Sequence, residues 1–134
     1  MTVASGGHPL PLVLRTAGES REAGVPGTLL GVVADPELTD ASVDLEPGDS
    51  IVLYTDGVTE ARAPQRVYGA VDLAGFAGHH EPLRAAAIAE RIERGALSSG
   101  AGEQRDDIAI VVLKVRAAGV AAPPEARAEG VPAV

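Results

Sequence analysis

The stretch Ile108-Ala-Ile-Val-Val-Leu-Lys-Val115 constrains the fold more than any other part of this chain, being broken only by Lys114 and rich in Val and Ile. Such residues fit a pleated strand, and a continuous apolar run of this length reads as a strand covered on both faces. It is expected to be buried and central in a sheet. Ile51 to Tyr54 is a second run of the same kind. Asp106-Asp107 stands just before the first run and Asp56-Gly57 just after the second, so two aspartates 50 positions apart are each fixed at a strand end. Carboxylates held this way by backbone, if they converge, suit a site that holds hard divalent cations through oxygen. An Asp-Gly after a strand is also ordinary turn chemistry, since Gly accepts positive φ and Asp caps nearby amides. Both readings stand on local grounds.

Composition narrows the function classes. The 134 residues, 46% apolar, suffice for one domain with its own core. With two Tyr, one Phe and no Trp, that core must be built from Val, Leu, Ile and Ala, and no platform for stacking nucleobases is visible. A net charge of −8 repels phosphate backbones and anionic membranes, so neither nucleic acid nor membrane is an expected partner. The absence of Cys excludes disulfides, thiolate metal sites and Cys nucleophiles, and fits a reducing compartment. No basic segment leads into an apolar stretch at the N-terminus, and no run approaches the roughly 18 apolar residues of a membrane span. A soluble cytoplasmic protein is expected.

Along the chain, Thr2 to Ala4 and Leu10 to Leu14 read as two strands of a hairpin, with Ser5-Gly-Gly-His-Pro9 as its turn. Residues 16 to 40 carry so many Gly and Pro that loop is expected, apart from a short piece at Leu29 to Val33. Apolar and polar residues alternate from Ala41 to Leu45, and Glu46-Pro-Gly-Asp49 supplies a turn into Ile51 to Tyr54, which predicts a second hairpin. Helices are expected over 69–79 and 82–97, the second opening with Pro82 in its first turn and closing at Gly95 or at Ser98 to Gly102. Residues 117–134, rich in Ala, Pro and Gly, read as a disordered tail.

Several polar residues carry two readings. His8 in its turn could face a metal or a phosphate, or cap the loop. His79-His80 suits a helix C-terminus, with no third ligand to complete a zinc set. Glu60 and Arg62 could meet a substrate or be solvated, and Glu90, Arg91 and Arg94 read as a solvent face with Glu90-Arg94 as an i,i+4 pair. The glycines form no phosphate cradle. A strand ending in Asp-Gly-Val could also suggest an aspartyl-phosphate mechanism, but the place of its nucleophile, two positions before Asp56, is held by Tyr54.

Leu45-Glu-Pro-Gly-Asp-Ser-Ile-Val-Leu-Tyr-Thr-Asp-Gly-Val-Thr-Glu-Ala-Arg62 resembles the signature of the PPM-type metal-dependent serine/threonine phosphatases, in the branch of the stage II sporulation phosphatase E and the phosphatases that control sigma factors. Gly6 to Leu12, Gly31, Tyr68-Gly69 and Asp106-Asp-Ile108 are similar to further motifs of that family, so the resemblance covers about residues 3 to 115. It implies an α+β fold: the C-terminal portion of an α/β/β/α sandwich, with mainly antiparallel strands and two flanking helices, over 1–116. It implies Asp56 and Asp106 as metal ligands, Asp107 as a supporting residue, and Mg²⁺ or Mn²⁺ in a two-ion centre that activates a water to attack a phosphoserine or phosphothreonine. The implied partner is a phosphoprotein such as an antagonist of an anti-sigma factor. The family's first metal motif, a Gly-Asp-Val-Ser-Gly type sequence, should precede the Gly-His-Pro segment with which this chain begins. The expectation is therefore a domain lacking its N-terminal half, weak metal binding, doubtful independent activity and self-association through exposed core. A non-catalytic fragment that binds a regulatory partner, or a gene remnant, is the alternative.

Overall fold

A computed structural model of the chain describes residues 1–80, 82–98 and 106–116, and the tail expected over 117–134 lies outside them. In chain order the elements are β1 (Thr2–Val3), β2 (Leu12–Leu14), β3 (Ser20–Glu22), β4 (Ala41–Ser42), β5 (Ser50–Tyr54), α1 (Asp56–Thr59), α2 (Ala70–Ala77), α3 (Ala85–Leu97) and β6 (Ile110–Lys114). All strand pairings among the described residues are antiparallel. A four-stranded sheet runs β3-β2-β5-β6, and β1 and β4 form a separate two-stranded sheet. The fold is α+β, as expected.

Alternation along β2 and β5 explains the layering, because successive side chains of a strand point to opposite faces. Leu12, Leu14, Val52 and Tyr54 face α2 and α3, meeting Leu73, Ala77, Ile88, Ile92 and Ala96 in the larger core. Val13 and Ile51 face the other way, where Val3, Ala23 and Val43 form a second, smaller cluster. Ile88, Ile92 and Ala96 recur every four residues along α3, which gives that helix one buried stripe. Gly95 lets α2 come close, since a Cβ there would overlap the Phe76 ring. Phe76 in turn meets Tyr68 edge to face at 5.1 Å.

Several expectations fail for identifiable reasons. The two predicted hairpins do not form: β1 pairs with β4, while β2 pairs with β3 and β5. The Ser5 to Pro9 and Glu46 to Asp49 turns are real, but at each the chain crosses between sheets rather than folding back on the same one. Local turn chemistry cannot tell these cases apart. Ser20–Glu22 forms a strand inside the expected loop, hidden because its residues are polar and all exposed. Leu29 to Val33 forms no strand and is exposed. Pro82 precedes α3, whose N-cap is Arg84, and of the two ends expected for that helix Gly95 lies inside it, while Ser98 is where it closes.

The largest correction concerns β6, which among the described residues is an edge strand and not central. Ile110 and Val112 pack on the helix side, whereas Val111 and Leu113 are 55% and 52% exposed. The small β1-β4 layer covers β2 and the start of β5 and stops short of β6. Leu53, cross-strand from Val111, is left exposed for the same reason. A continuous apolar run thus has only one face covered within the described residues.

The segment joining α2 to α3 is tied down by polar contacts from Arg91, on the exposed face of α3, and from Lys114 at the end of β6. Arg91 Nη1 donates to the carbonyls of Ala77 (3.2 Å) and His79 (3.4 Å), satisfying the end of α2. Lys114 Nζ donates to the carbonyls of His80 (2.9 Å) and Leu83 (2.8 Å). His80 itself is buried, not solvated, with Nδ1 3.2 Å from the Gly78 carbonyl oxygen. No helix among the described residues is long and apolar enough to cross a membrane.

Candidate metal centre

The site is built where β5 ends. The backbone N–H of Thr55 donates to the Ala109 carbonyl at 3.1 Å, which carries the β5-β6 ladder one residue past the strand. The Thr55 hydroxyl then makes a clip: it donates to the Asp107 carbonyl at 2.8 Å and accepts the Ala109 N–H at 3.0 Å. Its side chain is spent on the opposite loop and makes no cap to α1.

Gly57 completes the junction. It is buried, and a Cβ at this position would overlap the Asp107 carbonyl oxygen and lie 2.9 Å from the Asp107 carbonyl carbon and 3.2 Å from the Asp106 carbonyl oxygen. Only a residue without a side chain permits this approach. The loops that carry Asp56 and Asp106 are therefore pressed together backbone to backbone.

The two aspartates are exposed at this junction. Asp56 occupies the first turn of α1, with Oδ1 accepting the Gly57 N–H at 3.1 Å, and Asp106 Oδ1 accepts the Asp107 N–H at 2.8 Å. Each carboxylate is thus oriented by the amide that follows it. Hard anionic oxygens in this arrangement suit Mg²⁺ or Mn²⁺ better than a soft metal. Among the described residues, no group of three or more His, Asp or Glu is gathered that could hold an ion. His8 is exposed, its carbonyl accepting the Ser5 hydroxyl at 2.9 Å, and it lines a groove of about 330 Å³ together with Thr55, Ala109 and Val111. Glu60 caps the end of α1, and the Arg62 backbone bridges to Arg66, which pairs with Asp72 and lies 5.3 Å from the centre of the Tyr68 ring.

Asp49, read from the sequence as part of a turn, proves to be a buried structural hub. It accepts the amides of Glu46 (2.9 Å) and Thr16 (3.0 Å) and pairs with Arg15 at 2.6 Å. Burial by itself raises its pKa, but the two amides and the guanidinium outweigh that and hold the carboxyl down to about 2.

Comparison with known proteins decides the family. The sequence model of the stage II sporulation protein E (SpoIIE) family matches residues 1–116. The chain belongs to this family. The phosphatase domain of SpoIIE from Bacillus subtilis, presoaked with Mn, superposes with a TM-score of 0.64 at 18% identity over 99% of this chain and 56% of that one. The RsbU and RsbW domains of Rv1364c from Mycobacterium tuberculosis give a TM-score of 0.68 at 23% identity over 86% of this chain and 32% of that one. At such identities the likeness establishes a shared fold. Protein IcfG from a Synechocystis species is 28% identical over 68 residues, which is 51% of this chain and 11% of that protein. The chain thus spans about half of the SpoIIE phosphatase domain and a much smaller share of IcfG.

Proposed function

We propose that this chain carries part of the metal centre of a phosphoprotein phosphatase, with Asp56 and Asp106 as carboxylate ligands and a phosphoserine or phosphothreonine on a regulatory protein as substrate. The observation that supports this most is the Gly57 contact, which brings two sequence-distant aspartate loops together with their carboxylates exposed. When bound, a pair of Mg²⁺ or Mn²⁺ ions supplies a hydroxide for in-line attack at phosphorus. The chain's own residues do the positioning. Thr55 and Gly57 fix the separation of the loops, and the amides of Gly57 and Asp107 orient the two carboxylates.

The Mn-presoaked SpoIIE relative favours manganese as the first ion to try, and the pairing of RsbU with RsbW domains in Rv1364c favours a substrate from the same regulatory circle, such as an antagonist of an anti-sigma factor. A cytoplasmic setting goes with such a substrate. Hard divalent ions take about six oxygens each, and Asp56 with Asp106 provides two carboxylates. The 134 residues alone are therefore expected to hold ions weakly and turn over slowly. Weakly held ions would equally suit a non-catalytic module that binds a partner.

The test is Mn²⁺ binding, measured by calorimetry, beside phosphate release from a phosphoserine protein. Asp56→Asn and Asp106→Asn should each weaken Mn²⁺ binding by about tenfold or more, since even supporting residues around a metal are worth that much. Binding unchanged in both variants would remove the metal assignment. Rapid Mn²⁺-dependent turnover, abolished by either substitution, would instead overturn the weak-holding argument and make this short chain a complete enzyme.

A further inference from the structure

We draw no further inference here: the strongest candidate, the small cleft between the β2–β3 turn and the C-terminal end of α2 where Glu19, Ser20 and His79 stand beside the buried His80, carries nothing, because the His80 Nε2 that lacks a hydrogen-bond partner among the described residues is itself closed to solvent and no set of ligands is gathered around it.

Discussion

Strand β5 carries an aspartate at each end, and the two lead opposite lives. Asp49, just before Ser50, is 2% exposed and takes two backbone amides, a threonine hydroxyl and an arginine. Asp56, just after Tyr54, is exposed and accepts the amide of its own neighbour. One carboxylate is consumed in holding the corner between β2 and β5; the other is left presented at the surface. What separates them is the supply of donors around each, since a carboxylate ringed by amides and a guanidinium has no lone pairs to offer an ion. An Asp next to a strand is therefore uninformative until its donors are counted.

Replacing Asp49 by Ala should produce the largest effect. It strands the Arg15 charge and two amides at a buried corner, so the loss should be about 3–5 kcal/mol by chemical denaturation. A loss below about 1 kcal/mol, the scale of an exposed ion pair, would erase the contrast between the two ends of the strand. At the other end it is the glycine that should matter for stability. Gly57→Ala pushes a methyl into the backbone of Asp106 and Asp107, at an expected cost of about 1–3 kcal/mol, with weaker Mn²⁺ binding as the loops part.

The same contrast can be read by titration. Asp49 has its carboxyl lowered from 3.8 to about 2, so its stabilisation is complete above pH 3.8 and is lost as pH falls toward 2. The drop amounts to about 2 kcal/mol, and Asp49→Asn should flatten the stability profile across that window. Smallest of all should be Asp56→Asn, which keeps the shape of an exposed side chain and is expected to change stability by less than about 0.5 kcal/mol. Its effect should fall on Mn²⁺ binding, and a large loss of stability would mean that Asp56 belongs with Asp49 as a structural residue.

Much of this was legible in the residues. The signature from Leu45 to Arg62 led to the right family and fold class, and the helix expected over 82–97, with Leu83, Ala87, Ile88 and Ile92 on one side, is α3. What escaped was pairing. Glu46 to Asp49 forms a genuine turn, with the Asp49 N–H donating to Glu46 at 3.0 Å, yet the strands flanking it lie in different sheets. No local pattern encodes that. Burial of β6 was misjudged because an apolar run reports what a strand would accept on its faces, and not what lies there. Thr55 was overlooked for a related reason: a hydroxyl after a strand acquires meaning only when Asp107 and Ala109 arrive beside it.

The Thr55 hydroxyl reaches partners 52 and 54 positions away, and Gly57 is pressed against the same remote segment. The aspartates are thus registered by a direct clasp between their own loops and not by the path of the chain that separates them. Doubling the length of a flexible connection costs only about 0.6 kcal/mol in closure entropy. Insertions between these two motifs are accordingly cheap, provided α2 and α3 still dock, while a single methyl at the clasp is not. Variation in length can accumulate across this region of the family without disturbing the spacing of its carboxylates, which leaves the intervening helices open to remodelling.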